Sequence, residues 1–455
     1  RCCKVTGVQT CALPILREEK FMDKMADVLG RAGAWCGQNK YLSAIKNAFQ
    51  NFMPLTIAGA IGVLWCNVLV NDQTGLGLFF KPIMALDFLN PAFQAVNFCT
   101  ISCITVGITL GIAQEIGVWN MGAEKAGYIP GLVGLAAWLS VTNTSHMVEG
   151  AKEAFTGIAG NELGATGLFT GMIIGVLSVE LFCFFEKQDA LKIKMPEQVP
   201  PGVARAFEVL VPATITLIIT ACIGSACYNL TGLYLNDVIK NGIQGPLGAV
   251  GATIPGVMII YLVIMLFWLV GIHGNNMLSA VKEALFTPLA LENVEKFNKG
   301  EKPTNIINMY ALQMWGEFGG SGVTIGLVIA IMIFGKREDN KAIATLSLVP
   351  GLFNINETVT FGVPMVLNPI LGIPFVVAPL ITIIIGYVLT VIGFCPVACL
   401  TVPWTTPPIV FGFLACGANV MGAVTQAILI VVSTVIYTPF LISYEKYQNK
   451  QAAEA

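Results

Sequence analysis

The chain has 455 residues, of which 55% are hydrophobic and 11% charged, and its formal net charge is −2. Its mean hydropathy is +0.74. Apolar runs long enough to cross a hydrocarbon core of roughly 30 Å recur along nearly the whole sequence, which excludes a set of soluble domains. No basic stripe or aromatic-basic pattern occurs, so nothing indicates a nucleic-acid partner. The sequence predicts an all-α polytopic membrane protein in contact with membrane lipid.

The first fifteen residues are left out of the fold prediction. Residues 1–15 resemble the translation of a common sequencing-adapter oligonucleotide, and we treat them as an artefact. They lack the long apolar stretch and small-residue cleavage site of a signal peptide. We expect the natural protein to begin near Met22 or Met25, and leave open whether residues 16–21 belong to it. The segment 16–50 is predicted to be a tail followed by an amphipathic helix at the membrane surface.

The next segment, 51–185, contains four predicted membrane spans. They lie at about 52–70, 94–113, 126–142 and 164–185. A polar and basic linker at 186–206 follows, and the excess of Lys and Arg typical of cytoplasmic loops places it inside. Four preceding spans place the N-terminus in the cytoplasm as well.

Further spans follow beyond a fifth helix and loop predicted at 207–246. They are predicted at about 248–270, 310–335, 374–394 and 418–443, with a weak candidate at 276–290. The total is about ten transmembrane helices, and the tail 446–455 is again cytoplasmic. Under this count the lysines at 296, 299 and 302 fall outside, against the same charge rule.

Two apolar regions are too rich in proline to form straight helices. Prolines occur at 350, 364, 369 and 374, and again at 396, 403, 407 and 408. Proline removes a hydrogen bond of the helix, and in lipid this is tolerated only where the backbone is buried in protein or lines a cavity. We therefore predict two re-entrant hairpins, near 343–360 and 396–417, which is where transporters commonly bind substrate.

Glu357 is a carboxylate within the first of these regions. Such a group inside a membrane protein commonly lines a polar pathway or binding cavity. Asn354 and Asn356 stand beside it, and amide and carboxylate groups together suit a hydroxylated ligand such as a sugar. The alternative is a loop carboxylate that pairs with a cation or caps a helix.

His273 is one of two histidines and ends an apolar span. Glycines on both sides allow close approach of the backbone to a ligand, and Asn275 and Asn276 follow. The alternative is an interfacial histidine with purely structural partners. His146 lies in a polar stretch and is predicted to be a loop residue.

The thirteen cysteines form no CxxC pair and no cluster with histidine. Pairs four residues apart lie in apolar segments, where cysteine packs as a small apolar residue. We predict no metal site and no cofactor.

Five motifs, taken together and in order, carry a resemblance to a known family. They are Val199-Pro200-Pro201-Gly202-Val203-Ala204-Arg205, Gly271-Ile272-His273-Gly274, Phe318-Gly319-Gly320-Ser321-Gly322, Asn354-Ile355-Asn356-Glu357 and Val402-Pro403-Trp404-Thr405-Thr406-Pro407-Pro408. The chain resembles the membrane-spanning EIIC component of a phosphoenolpyruvate-dependent sugar phosphotransferase system (PTS), lactose/cellobiose (diacetylchitobiose) branch. The match runs from about residue 27 to 445.

The resemblance implies roles for particular residues. His273 and Glu357 would contact the sugar near the hydroxyl that becomes phosphorylated, and Trp404 would lie against a sugar ring. Asn275, Asn276, Asn354 and Asn356 are further candidates for hydroxyl contacts. Arg205 matches a basic residue of the linker, and snorkelling to the cytoplasmic surface is an equally good interpretation. The family usually has proline after the glutamate, where this chain has Thr358.

It also implies a mechanism and partners. A separate EIIB protein would supply the phosphoryl group from a phosphocysteine. The chain would act as a homodimer in the bacterial plasma membrane. Its region 247–445 would carry the sugar past a fixed scaffold, the elevator type of transport. Two alternatives remain from other classes: a proton-coupled secondary sugar transporter that releases free sugar, and a sugar-sensing protein without transport.

Overall fold

A computed structural model describes residues 38–72, 76–146, 155–196, 198–363 and 365–454, with isolated positions between 28 and 35. The predicted artefact at 1–15 lies outside these residues. The described chain is mostly helical. Its α-helices are Lys40–Leu64, Asn90–Cys99, Ile104–Met121, Ala123–Ala126, Ile129–Val141, Gly160–Leu163, Ala165–Glu186, Pro201–Thr231, Leu235–Ile239, Gly245–Gly251, Ile254–Leu269, Gly274–Met277, Ser279–Asn298, Met309–Gly316, Ile325–Phe334, Glu338–Leu352, Glu357–Gly362, Gly372–Val391, Val410–Ala415 and Val420–Glu454.

Shorter elements complete the description. Turns of 3₁₀ helix cover Leu76–Leu78, Lys81–Leu89, Ile101–Cys103 and Asp189–Leu191, and π turns cover Trp65–Leu69 and Lys240–Gln244. One antiparallel pair of strands, Ser145–His146 with Phe155–Thr156, pairs Ser145 with Thr156 and His146 with Phe155. The predicted loop residue His146 therefore lies on a short strand.

Six helical segments within the described residues are long and apolar enough to cross a membrane. They are Lys40–Leu69, Lys81–Met121, Ala165–Glu186, Pro201–Thr231, Gly372–Val391 and Val420–Gln451. Three shorter apolar helices are Ile129–Val141, Ile254–Leu269 and Ile325–Phe334. The weak candidate at 276–290 falls in Ser279–Asn298, which is not among them because Lys282 and Glu283 interrupt its apolar character. The fold is that of a multi-pass membrane protein.

The helices pack in two groups. The first contains Lys40–Leu64, Ile104–Met121, Ile129–Val141, Ala165–Glu186 and Pro201–Thr231, and we call it the N-terminal group. The C-terminal group surrounds Gly372–Val391 and the last helix, Val420–Glu454. Ser279–Asn298 packs against Met309–Gly316 of the C-terminal group and against Lys40–Leu64 and Ala165–Glu186 of the N-terminal group. It is therefore an element through which the two groups touch.

The predicted continuous span at 310–335 is wrong. Two helices, Met309–Gly316 and Ile325–Phe334, are separated by an irregular turn. Gly319, Gly320 and Gly322 adopt positive φ there, a conformation that a helix cannot contain. Hydropathy cannot distinguish one continuous apolar helix from two shorter apolar helices joined by a turn, because the two differ in backbone conformation and not in polarity.

Both proline-rich regions are interrupted as predicted. The first is a helix, Glu338–Leu352, a turn at 353–356 and the short helix Glu357–Gly362. The second is largely irregular from 393 to 409 before the short helix Val410–Ala415. The segment 16–50 was predicted to be a tail and a surface helix, and its residues 16–27 lie outside those that the structure describes. The helix Lys40–Leu64 runs from the end of that segment into the first span without a break.

The linker is attached to the bundle by ion pairs. Glu186, 1% exposed, lies 3.0 Å from Arg205 Nη1 and 2.8 Å from Lys125 Nζ. Arg205 Nη1 also lies 2.7 Å from Glu208. A buried carboxylate requires such partners. Arg205 thus joins the start of Pro201–Thr231 to the end of Ala165–Glu186. This contact is compatible with the predicted snorkelling of Arg205 to the cytoplasmic surface.

Asn293 attaches the second proline-rich region to Ser279–Asn298. Its side chain is fully buried and makes four hydrogen bonds. The oxygen accepts from the backbone N–H groups of Thr304 and Asn305, and the nitrogen donates to the carbonyls of Asn305 and Ala398, at 2.9–3.2 Å. The irregular backbone near Ala398 therefore has a fixed partner inside the protein.

Replacing Asn293 by Leu should lower thermal stability, because the buried backbone groups it satisfies lose their partners at roughly 1–3 kcal/mol each. The measurement is the melting temperature of purified protein in detergent, followed by size-exclusion chromatography after heating. Asn241→Ala, at an exposed position, is the matched control. Equal melting temperatures for the two variants would contradict the anchoring role.

Candidate functional site

One open cavity of about 210 Å³ lies where the broken segments of the C-terminal group meet. All of the residues predicted for the site line it: His273, Asn275, Asn276, Asn354, Asn356, Glu357 and Trp404. They come from three separate stretches of sequence. The fold therefore brings the predicted residues together, although it commits them to different tasks.

His273 lies in the turn between Ile254–Leu269 and Gly274–Met277. Its Nδ1 accepts a hydrogen bond of 3.3 Å from the backbone N–H of Asn276. The ring packs against the buried Trp268 ring at 4.4 Å between centroids. A neutral imidazole that accepts at Nδ1 carries its proton on Nε2. That proton therefore points away from the backbone turn and is free to donate to another group.

Gly274 allows this turn to form. A Cβ added at this glycine would lie 2.0 Å from the carbonyl oxygen of Ile264. Only a residue without a side chain permits such close packing of the turn on the preceding helix. The glycine next to His273 is thus required by packing.

Glu357 lies opposite His273 at the start of Glu357–Gly362. Its Oε1 is 3.9 Å from His273 Nε2, beyond hydrogen-bond distance. The two side chains are 48% and 38% exposed, respectively. A single hydroxyl oxygen placed between them can accept from Nε2–H and donate to the carboxylate. Both groups are therefore available to a ligand.

Asn354 has a different task. Its backbone adopts φ = 62°, a left-handed conformation that Asn tolerates well. Its side-chain oxygen accepts from the N–H of Gly319 at 2.6 Å. Its nitrogen donates to the carbonyls of Trp404 and Thr406. Through these contacts Asn354 joins its own loop to two others. Because both of its N–H donors are used, it is poorly suited to donate to a sugar hydroxyl.

Asn356 is also committed to the backbone. It is 4% exposed and donates to the carbonyl of Ser321 at 2.7 Å. A Cβ on Gly320 would lie 2.7 Å from its side chain, and Gly320 has φ = 89°. The glycine-rich turn is therefore held closely against Asn356. Asn276 differs, since its side chain is exposed to the cavity.

Sequence reasoning missed a buried ion pair beside the cavity. Lys282, 6% exposed, pairs with Glu317, and Tyr261 donates a 2.6 Å hydrogen bond to the same carboxylate. Lys282 also donates to Asn275 at 3.3 Å, and Asn275 donates to Ser321 at 2.9 Å. The orientation of the Asn275 amide is set by this chain of contacts. The sequence indicates this pair only through the presence of Lys282 and Glu317, two opposite charges in neighbouring apolar segments.

Trp404 forms an aromatic wall. Its side chain is 44% exposed and lines the cavity. An aromatic face packs well on the C–H groups of a pyranose ring. Gln313, a second missed residue, also lines the cavity, and its Oε1 is buried without a hydrogen-bond partner among the described residues. Together these groups can bind a hydroxylated ring and hold one of its hydroxyls between an acid and a base.

Comparisons with known proteins place the chain in a family. A family model described as "Phosphotransferase system, EIIC" matches residues 46–379. The PTS system oligo-beta-mannoside-specific EIIC component of Bacillus subtilis (strain 168) is 32% identical and covers 94% of each chain. The PTS system cellobiose-specific EIIC component of Lactococcus lactis subsp. lactis (strain IL1403) is 29% identical, over 94% of this chain and 98% of that relative.

A solved structure extends the likeness to three dimensions. It is the crystal structure of the transporter ChbC, the IIC component from the N,N'-diacetylchitobiose-specific phosphotransferase system. It superposes with a TM-score of 0.84 at 29% identity, over 92% of this chain and 97% of that chain. The resemblance inferred from the motifs is thereby confirmed. Since the family model spans most of the sequence and the relatives align over nearly their whole length, the chain belongs to the membrane-spanning EIIC components of the phosphotransferase system.

Proposed function

We propose that the chain imports a β-linked disaccharide, such as cellobiose, chitobiose or lactose, and presents it for phosphorylation by a separate EIIB protein. The observation that carries the proposal is the pair His273 and Glu357, 3.9 Å apart and open to the cavity. The substrate class is supported by the cellobiose-, mannoside- and diacetylchitobiose-specific names of the relatives.

In this mechanism the sugar 6-hydroxyl lies between the two side chains. Nε2–H of His273 donates to the hydroxyl oxygen, and the hydroxyl donates to the Glu357 carboxylate. The two contacts orient one lone pair of the oxygen toward the incoming phosphorus. Positioning a nucleophile in line with a phosphoryl group supplies much of the rate of such transfers.

The transfer itself balances as follows. The S–P bond of the EIIB phosphocysteine breaks and an O–P bond to the sugar forms. The hydroxyl proton passes to the Glu357 carboxylate, and the EIIB cysteine leaves as a thiolate. A general base within hydrogen-bond reach contributes roughly 10²–10⁴-fold to such a step.

The membrane arrangement is part of the proposal. The linker at 186–206 and the segment at 336–341 are rich in lysine and arginine, which supports placing them and both termini in the cytoplasm. The chain acts as a homodimer through the N-terminal group. The C-terminal group, which carries the cavity, moves relative to it. The division of the helices into two packed groups supports this elevator movement.

The deciding experiment uses inside-out vesicles that contain the protein, phosphorylated EIIB and labelled cellobiose. Sugar phosphate that forms only when EIIB is phosphorylated is the expected product. Free sugar crossing under a proton gradient, with the phosphate retained on EIIB, would establish the secondary transporter instead. A panel of β-disaccharides that yields neither product would contradict both transport functions and leave the sensor interpretation.

Glu357→Gln should reduce sugar phosphorylation by about 10²–10⁴-fold, because the amide cannot accept the hydroxyl proton. Membrane insertion and the melting temperature should stay the same, since the side chain is 48% exposed and lines the open cavity. The measurement is the initial rate of sugar phosphate formation at saturating EIIB. An unchanged rate would remove Glu357 from the mechanism.

Trp404→Ala should raise the KM for cellobiose by about 10-fold, since stacking and apolar contact of one aromatic ring contribute on the order of 1–2 kcal/mol. Trp404→Phe is the matched control, because it keeps an aromatic face and should shift KM by less than about threefold. Steady-state phosphorylation at varied sugar concentration provides both values. A fall in kcat with unchanged KM would show that Trp404 acts on the chemical step.

A further inference from the structure

An apolar groove of about 650 Å³ lies on the surface of the C-terminal group. It follows the contact between Ile325–Phe334 and the last helix, Val420–Glu454, which pack against each other. Ile333 and Val435, two of its lining residues, are each 64% exposed. Among the described residues, none lines both this groove and the site cavity. The groove is therefore a separate feature, and it faces the surroundings of the protein.

The hydroxyl groups in the walls of the groove are bound within their own helix. Thr434 donates to the carbonyl of Ile430 at 2.9 Å, and Thr438 donates to the carbonyl of Thr434 at 2.7 Å. The other lining residues are isoleucine, valine, phenylalanine and proline. Because both hydroxyl protons are used and the rest of the wall is apolar, the groove fits an apolar occupant such as a hydrocarbon chain.

The length of the groove corresponds to one leaflet of a membrane. Its lining residues on the last helix run from Ile430 to Ile442. This stretch is about 18 Å long at a rise of roughly 1.5 Å per residue, and one leaflet of a hydrocarbon core of roughly 30 Å is about 15 Å deep. An acyl chain can therefore lie along the groove with its headgroup at one end.

Two lysines lie together at one end of the groove. Lys446 follows Ile442 by four residues, so the two lie on the same face of the last helix. Lys336 follows Phe334, and its backbone N–H donates to Glu445 Oε2 at 2.8 Å, which places it beside the residue that precedes Lys446. Both lysines are exposed, and neither forms an ion pair with a residue that the structure describes.

The acidic groups near these lysines have other partners. Glu445 is 5% exposed and accepts from the backbone N–H groups of Lys336 and Arg337. Two further carboxylates form surface ion pairs with other basic residues: Asp339 with Arg337, and Glu338 with Lys341. The side-chain charges of Lys336 and Lys446 thus remain available to an anion that lies at the end of the groove.

We propose that the groove binds one acyl chain of an anionic phospholipid, whose phosphate lies at Lys336 and Lys446. The acyl chain by itself gives no selectivity, because the surrounding lipid is as apolar as the groove. The two lysines supply it, since each basic residue near the membrane surface favours an anionic lipid. The proposed membrane arrangement places this end of the groove at the cytoplasmic leaflet, which carries anionic lipids. This inference goes beyond sugar transport and does not depend on which sugar is carried.

The test measures the binding of single lipids to purified, delipidated protein by native mass spectrometry. The probes are phosphatidylglycerol and phosphatidylcholine with the same acyl chains. Wild-type protein should bind phosphatidylglycerol about 30-fold more tightly, the factor expected for two lysines. Lys336→Met and Lys446→Met should each lower this preference to about fivefold, and the double variant should bind both lipids about equally. Lys302→Met, at an exposed position of another segment, is the control and should keep the wild-type ratio.

Val435→Trp provides a second test by filling the groove. It should lower the preference to about fivefold or less, because a displaced chain no longer holds the headgroup at both lysines. Val388→Trp, at another exposed valine, is the matched control. Equal binding of the two lipids by wild-type protein, or a preference that persists in the double lysine variant, would overturn the proposal. So would a Val435→Trp protein whose oligomeric state changes while its lipid preference does not, since a second copy of the chain would then cover the groove.

Discussion

The site depends on the side-chain amide of Asn354, which forms hydrogen bonds to backbone groups of two irregular segments. Asn354 accepts from the glycine-rich turn at Gly319 and donates to two carbonyls of the second proline-rich segment. Irregular backbone in a membrane protein requires such partners wherever the lipid or the packed interior excludes water. Because one side chain joins its own segment to the glycine-rich turn and to the segment of Trp404, Glu357 and Trp404 reach a common cavity.

Charged groups near the cavity divide into two kinds. Lys282 and Glu317 neutralise each other and orient Asn275, so their task is structural. His273 accepts a backbone hydrogen bond at Nδ1, whereas its Nε2 and the Glu357 carboxylate face each other across 3.9 Å and remain available to a ligand. A buried ion pair stabilises a protein only when its geometry is good and its hydrogen bonds are all made. A ligand-binding group, in contrast, must keep a donor or acceptor unused until the ligand binds.

The predictions succeeded where a residue type has a local physical meaning. Proline spacing predicted the two interruptions, and the five motifs predicted which side chains would share a site. They failed at 310–335, where the helix breaks at glycines that hydropathy does not register. Asn354 and Asn356, predicted to contact the sugar, both line the cavity and also donate hydrogen bonds to backbone carbonyls, so their contact with the sugar stays a prediction. Amide chemistry is the same in both uses, and only the neighbouring atoms distinguish them.

Composition and local pattern were sufficient for the membrane class, because apolar length and backbone-breaking residues act within a short stretch of chain. The five motifs carried the family resemblance, and that resemblance predicted His273, Glu357 and Trp404 as site residues. The Lys282–Glu317 pair and the anchoring by Asn293 required the folded protein. Each joins residues far apart in sequence, or depends on which neighbour occupies a hydrogen-bonding atom. Such contacts follow from the packing of helices against one another, which a single sequence does not reveal.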